Sequence, residues 1–436
     1  MDNHILRLDW QNPLNFAHKI SENYSGDSWI FLYSALSDKI KNSTSYVALF
    51  PQQKIICDNF SAAEKILRTS DKKWFGYLSY ETGNDFENLP KTEKSFISLP
   101  KIFLINFGIL FEFNHDKREL TATFSDKKLL DRVLQWTPQQ VRGDNERVQS
   151  SAWKVRSNNF SSNFTDESYL TTIRNIQKMI ASGDLYQTNL TRKFFGEFTE
   201  KQNHQQAFQL FSDLTKISPA NYSSFLKLDE NFVISSSPEL FLKARNGRIL
   251  SRPIKGTAPR HFDPKQDRKN KSTLKNSAKE RAENLMIVDL VRNDLSRICT
   301  PGSVKVTKLF NITSYQNIHH MSSEISGEIS ENFLALDAVK ACFPAGSMTG
   351  APKIKAMKVA AQLEKLDRGI YSGSIGFFSK NEINSSVVIR TLILQGQKFE
   401  FQVGGAITFD SDPEAELAEI FSKAKGIGEL LGVDFG

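Results

Sequence analysis

Residues 371–409 read YSGSIGFFSKNEINSSVVIRTLILQGQKFEFQVGGAITF. Three largely apolar runs lie in this stretch, at 371–379, 385–395 and 398–409, parted only by short polar connections. Apolar runs bounded by turn residues read as strands, and no helical pattern comes between them. Further strand-like runs occupy 186–198, 222–228, 232–237, 240–244 and 248–254, with 101–115 and 119–124 nearer the N-terminus. Phenylalanine is frequent, at 33 residues, which favours packed sheets. Helical periodicity is local. Thr165-Asp166-Glu167 opens one helix, Tyr169, Ile173, Ile176 and Ile180 share its face, and Ser182-Gly183 closes it. Others are expected over about 272–295, over about 351–366 behind Gly350-Ala351-Pro352, and from Asp412-Pro413 past Lys425. Strands and helices do not alternate as βαβ units. The expected class is therefore α+β with large antiparallel sheets, not a doubly wound fold.

The 436 residues carry 56 Lys+Arg against 49 Asp+Glu, a formal net charge of +7. With 39% hydrophobic and 24% charged residues the balance is globular, not disordered. The length suits two or three domains, or one large one. The three cysteines, Cys57, Cys299 and Cys342, lie far apart, which excludes a disulfide framework, and no CxxC pair suggests zinc. The N-terminus lacks a signal-peptide profile, and no run approaches the ~18 apolar residues that cross a membrane. A cytoplasmic setting without membrane attachment is expected. Most of the net charge sits in Arg260–Arg281, where eight Lys/Arg face three Asp/Glu. No aromatic platform interleaves with these charges, so a solvated loop leading into a helix is favoured over a nucleic-acid site. The polar stretch 141–163 reads as a linker.

Several side chains could carry chemistry. Glu280 and Glu283, and again Glu416 and Glu419, are spaced i, i+3, with Lys423 four residues further on. Each pair shares a helix face. Two such pairs around one cavity would suit a hard cation such as Mg²⁺, although solvent-facing pairs are the commoner arrangement. Lys255, in RPIKGT (252–257), lies between a Pro and a Gly that fix the backbone. Desolvated, it could be a nucleophile; otherwise it is a surface lysine in a turn. Glu239, in SPEL (237–240), could be a half-buried general acid, or a cap or salt-bridge partner. Gly404-Gly405 interrupts an apolar strand, through a ligand's close approach or a bulge. FPAGSMTGAPK (343–353) is a potential anion loop, but it lacks the GK[ST] ending of a nucleotide-binding loop. Arg390, in VVIRTLIL, needs a partner, either a substrate carboxylate or an Asp or Glu of the chain. His319-His320 could be a base, a ligand donor or simply packed.

Taken in order, GDLYQTNLTRKF, SSPELFL, SRPIKGT, KERAENLMIVDLVRNDLSRIC, HHMSSEISG, FPAGSMTGAPKIKAM, YSGSIGF, VVIRTL and VGGAITFDSDPEAELAEI resemble the chorismate-utilising enzymes over about residues 160–430. WFGYLSYETGNDFE (74–87) resembles the family's N-terminal region less specifically. The resemblance implies two large, mainly antiparallel sheets packed as a sandwich with helices around them. It implies an N-terminal region (1–140) that is part of the sandwich, the 141–163 linker and a chorismate-binding domain (164–436). Gln187 stands where the water-adding members of the family place a Lys base. Lys255 stands where the anthranilate-forming members typically carry Ala, and marks the branch that aminates chorismate at C4.

That branch implies a scheme. Glu283 and Glu419 would bind Mg²⁺, with Glu280 and Glu416 beside them, and the ion would take the ring carboxylate. Arg390, Tyr371 and the Gly404-Gly405 amides would hold the enolpyruvyl carboxylate. Ser347, Lys423, Gln187 and Thr257 would help to bind and orient the ring, with His320 beside it. Lys255 would attack C2 while Glu239 protonates the departing C4 hydroxyl, and ammonia would then add at C4. No Cys-His-Glu glutaminase module is evident, so ammonia is expected free or from a separate glutamine amidotransferase subunit. Anthranilate formation is the alternative chemistry, and a non-enzymatic nucleic-acid-binding role the remote one. The nearest stretch to the family's LLES-type tryptophan-feedback signature is Phe31-Leu32-Tyr33-Ser34, which argues against tryptophan inhibition.

Overall fold

A computed structural model describes residues 4–36, 43–137, 160–315 and 318–433. Most of the expected 141–163 linker lies outside the described residues. Among the described residues the chain forms ten α-helices and a hydrogen-bonded network of 20 strands, and every pairing between those strands is antiparallel. The expected class stands.

One arm of the network starts at Gln187–Glu197 and Lys398–Ile407. It runs through Thr391–Gln395, Asn231–Ser237, Tyr222–Leu228, Ser28–Tyr33 and Thr44–Cys57 to Ile102–Asn114. There the network divides. The second half of Ile102–Asn114 pairs with Glu119–Phe124, which pairs with His4–Leu8. The first half pairs with Trp74–Leu78. From Trp74–Leu78 the other arm passes through Ser374–Phe378, Ile383–Val387, Leu240–Arg245 and Arg248–Arg252 to Ile318–Glu328, which also pairs with Ile254–Pro259 and Lys305–Ser314.

Side-chain alternation builds the layers, because successive strand residues face opposite ways. Trp29, Phe31, Val47, Leu49, Leu392 and Leu394 face one helical layer, with Asp166–Ala181, His204–Ile217 and Pro413–Leu431 among its helices. Trp74, Leu78 and Phe378 face another, where Ala278–Ser296 packs. Their alternates Ile30, Tyr46, Ala48, Phe75, Tyr77, Phe377 and Ile393 meet in a third, inner cluster between the two arms. Each fully buried side chain of this kind contributes about 1.5–3 kcal/mol. The sandwich follows from period-2 patterning of strands that are apolar on both faces.

Two differences from the sequence reading bear on the site. Residues 385–395 are not one strand. The run breaks after Ile383–Val387 and resumes at Thr391–Gln395, and Arg390 has φ +51° at the corner. A single apolar run here serves both arms, so the chain must turn between them, and the turn falls on its one charged residue. Second, the basic stretch is helical from Pro264 to Asn276, capped by Asp263 with Pro264 in its first turn. Ser277 ends that helix and caps the next, Ala278–Ser296, by accepting from the Glu280 N–H. The expected 272–295 helix is therefore two helices.

Candidate active site

The break at Arg390 opens a cavity of about 240 Å³. Its lining gathers Glu239, Lys255, Thr257, Glu280, Glu283, His320, Ser347, Tyr371, Arg390, Gly404, Gly405, Glu416, Glu419 and Lys423. These are the residues singled out from the sequence, save one. Gln187 does not line the cavity. It is fully buried in its strand, and neither its amide oxygen nor its nitrogen has a partner among the described residues.

Lys255 reaches the cavity through a β-bulge. Ile254 pairs with Ser322 but Thr257 with His320, so three steps along one strand match two along the other. A bulge leaves its extra residue unpaired and re-aims its side chain. Gly256 has φ +94°, and a Cβ there would lie 2.8 Å from Glu280 Oε2. The position needs glycine for its conformation and for its closeness to the helix. Among the described residues no hydrogen bond or ion pair holds the Lys255 amine. Burial lowers its pKa, and Lys423 adds to that, against the pull of Glu283, Glu239 and Glu419.

Glu239 is 4% exposed. Burial raises its carboxyl to about 7, although the Ser347 hydroxyl, which donates to Oε1 at 2.5 Å, and the Lys255 charge both oppose this. A carboxyl that holds its proton near neutrality can act as a general acid. His320 is pushed down to about 3, first by burial and then by Arg390 and His319, so it is a neutral imidazole. Its Nδ1 has no partner among the described residues, and its ring meets Tyr315 edge-on at 5.5 Å. His319 is committed elsewhere, to Ser314 and Asp267.

Arg390 donates to the Ser218 hydroxyl at 3.3 Å and pairs with no carboxylate among the described residues. Of its two expected partners, an Asp or Glu of the chain is not found among the described residues. Gly404-Gly405 is not a bulge, for the Lys398–Ile407 ladder keeps register through it. A Cβ at Gly404 would lie 2.7 Å from Thr191 Cγ2, and one at Gly405 3.1 Å from Glu416 Oε2. The pair is small so that a neighbouring strand and a carboxylate can approach.

The four glutamates enter from the Ala278–Ser296 and Pro413–Leu431 helices. Burial raises the pKa of Glu280, Glu283 and Glu416, and mutual repulsion adds to it. For Glu419 burial acts the same way but is outweighed by Lys423, 2.6 Å away, with Lys279 and Lys255, and the net shift is downward. Among the described residues no three acidic, His or Cys side chains form a closed metal cage. Mg²⁺ does not require one. It keeps several waters and is usually held by one or two carboxylates plus the substrate. Desolvated carboxylates that repel one another fit such an ion.

Asn189, Lys279, Met348 and Gln402 also line the cavity and were not singled out from the sequence. Strand alternation places Gln402 on the face of Gly404, and Asn189 on the face of Gln187. Lys279, 3.6 Å from Glu416, is hidden within the basic run. A larger cavity, about 790 Å³, shares Pro238, Ile254 and His320 with this one as walls and includes Leu32, Tyr33 and Ser34. It lacks the grouped acids and the unpaired lysine, so the smaller cavity is the candidate active site.

A buried acid, a lysine and a guanidinium without carboxylate partners among the described residues, and two pairs of carboxylates suited to a cation share one cavity, which defines an enzyme site for a small anionic substrate. Residues 23–429 match the family described as chorismate binding enzyme, and the chain belongs to that family. It is similar to aminodeoxychorismate synthase component 1 of Escherichia coli, with 38% identity over 82% of this chain and 76% of the relative. The Bacillus subtilis protein of the same name is 31% identical over 82% and 76%. Anthranilate synthase component 1 of Aquifex aeolicus is 38% identical over 63% of this chain and 55% of its own. The solved structure of anthranilate synthase component I from Streptococcus pneumoniae superposes with a TM-score of 0.76 at 24% identity, covering 93% and 95% of the two chains.

Proposed function

We propose that this enzyme aminates chorismate at C4 with ammonia, giving 4-amino-4-deoxychorismate. The names of the E. coli and B. subtilis relatives support that reading. The observation that carries it is the bulge that brings Lys255, unpaired among the described residues, into the cavity shared with Glu239, whose carboxyl burial raises to about 7.

Chorismate is a dicarboxylate. The Arg390 guanidinium, free of any carboxylate of the described chain, takes the enolpyruvyl carboxylate, with Tyr371 and the Gly404-Gly405 backbone beside it. Glu283 and Glu419, with Glu280 and Glu416 close by, would hold Mg²⁺, which when bound supplies positive charge against the ring carboxylate. Ser347, Lys423 and Thr257 orient the ring, and His320 packs beside it. Gln187 is proposed only as a buried neutral support, since it does not reach the cavity lining.

The neutral Lys255 Nζ bonds to C2, the two ring double bonds shift, and the C4–O bond breaks. Glu239 gives its proton to the leaving hydroxyl, which departs as water. Ammonia then bonds to C4, the double bonds return, and the C2–N bond breaks to release Lys255. Two displacements keep the nitrogen at C4. The "component 1" naming of the relatives supports a separate ammonia-supplying partner, for which we propose a glutamine amidotransferase subunit. Among the described residues no helix is long and apolar enough to cross a membrane, and we propose a cytoplasmic location. We also retain the division into an N-terminal region, the 141–163 linker and the 164–436 domain.

The deciding experiment incubates the protein with chorismate, Mg²⁺ and ammonium. A product that becomes p-aminobenzoate only after a lyase is added supports the reading. Direct anthranilate fluorescence sinks it and leaves the second reading, which the Aquifex relative favours.

A further inference from the structure

Outside the cavity lining, one buried cation holds the lining together. Arg368 is 2% exposed. Its Nε and Nη2 fork onto the two carboxylate oxygens of Glu364, at 2.8 and 2.7 Å. Nη1 donates to the carbonyl of Met348 at 2.8 Å, and Nη2 also to that of Asn189 at 3.1 Å. Met348 and Asn189 both line the cavity. Glu364 accepts from the Thr191 N–H as well, two residues along the Asn189 strand. On the other side the guanidinium lies over the Tyr80 ring at 4.5 Å, and the Arg368 and Gly369 N–H groups donate to Glu81 at 2.7 and 3.0 Å.

The two carbonyls sit where the acid is tuned. Met348 follows Ser347, whose hydroxyl donates to Glu239 and whose carbonyl accepts from the Asn189 side chain at 2.7 Å. Moving the 346–348 turn would therefore move the hydrogen bond on Glu239. A buried ion pair earns no presumption of stabilising the fold, since an apolar replacement of like volume is often neutral. What an apolar pair could not do is hold two carbonyls from separate segments at fixed points. A planar fork with donors on three edges can.

We propose that Arg368, held by Glu364, is a positioning residue for the reaction, fixing the Ser347–Met348 turn and the Asn189 strand so that Ser347 sets the proton donor Glu239. It rests on the reading of Glu239 as the general acid. The titratable and charged groups facing Glu239 are Lys255 and Tyr371, with Asp294 and Cys342 lining the small void behind it. Of these, Tyr371 also feels the Arg368 charge; R368K keeps that charge, so what it changes at Glu239 passes through the turn.

The test compares R368K, E364Q and E239Q in the full-length enzyme. An ammonium keeps the charge but cannot span Glu364 and both carbonyls. R368K is expected to lower kcat at least about tenfold while KM for chorismate stays within about twofold. The alkaline limb of its pH–rate profile should move by about half a pH unit or more, a change that loss of folded protein alone does not produce. E364Q, which keeps the volume and loosens the clamp, should move that limb as well, and it decides the matter if R368K does not fold. Wild-type kcat and an unmoved limb in whichever of the two variants folds overturn the proposal. So does a lowered melting temperature with unchanged turnover per folded molecule. Full turnover in E239Q overturns the reading of Glu239 and the proposal with it. Loss of turnover in E239Q beside unchanged R368K and E364Q overturns the proposal alone.

Discussion

Burial is the main cause of the shifts at Glu239 and Lys255: it raises the carboxyl to about 7 and lowers the amine from its ordinary value. The acid works only while protonated, so the rate should fall as pH rises through about 7. The lysine works only while neutral, so the rate should fall again toward acid. A bell-shaped kcat/KM profile is expected, and K255A should remove the covalent route. With ammonia withheld, mass spectrometry of the wild type should find a Lys255–chorismate adduct less one water; normal turnover on ammonia without any adduct would count against the nucleophile. The same burial has a stability consequence. Glu239 has an ordinary value of 4.5 and a folded value of about 7, so the native state keeps a proton that the unfolded chain releases. Its contribution is full below about 4.5 and is lost as pH rises through about 7, a cost of roughly 3 kcal/mol once both states are ionised. Glu81, raised to about 7 chiefly by burial, acts in the same direction. E239Q should therefore raise the melting temperature at pH ~8 and flatten its fall between pH ~5 and ~8, while turnover drops by roughly 10²–10⁴. An unchanged melting curve would show that the carboxyl is not desolvated as the structure has it.

The elements explain why the acid and the lysine meet. One bulge in Ile254–Pro259 aims Lys255, and the glycine behind it is pinned by its own φ and by Glu280. G256A should cost about 1–3 kcal/mol in thermal stability, as a strained backbone does. It should lower kcat beyond any loss of folded protein, because it shifts the bulge; full activity in the folded variant would mean that the lysine does not depend on the bulge. The bulge was not legible in the sequence, where RILSRPI read as a strand running through Ile254. The site residues were more legible than their settings. Lys255, Glu239 and both glutamate pairs stood out by residue type and spacing, yet Arg390 read as mid-strand when it stands at a corner with positive φ. Apolar periodicity shows that a run is buried, not where it changes sheets. Ser277 illustrates the same limit. It reads as one more polar residue in a helical stretch, but it caps a new helix that carries Glu280 and Glu283 into the cavity. Arg368 and Glu364 escaped notice because their meaning lies in carbonyls more than a dozen residues away, which no local pattern encodes.

At the scale of the molecule, the two arms of the sandwich are not separable bodies. Ile102–Asn114 belongs to both, and the inner cluster draws Tyr46, Phe75 and Phe103 from the N-terminal region and Ile375, Phe377 and Ile393 from the C-terminal part. Gly76 pairs with Gly376 across the two regions, and on its other side, at φ +150°, a Cβ would lie 1.9 Å from the Phe103 carbonyl oxygen of the strand both arms share. The active-site cavity spans the corner between the arms at Arg390. It therefore depends on both, and the N-terminal region bears on it at one remove, through Tyr80 and Glu81, which hold Arg368 behind the lining. Unfolding should then be one cooperative transition despite the length of the chain. Trp29 packs in one outer cluster and Trp74 in the other, so fluorine-labelled tryptophan would report on each. Their native resonances, assigned with W29F and W74F, should vanish at the same urea concentration at which circular dichroism and chorismate turnover are lost. G76A should move all four midpoints together to lower urea, because the clash it introduces lies in the layer the arms share. If the Trp29 or Trp74 signal were lost well before the other in the wild type, one arm would be standing without its partner. The inner cluster would then be a contact between two domains and not the common core from which the site is hung.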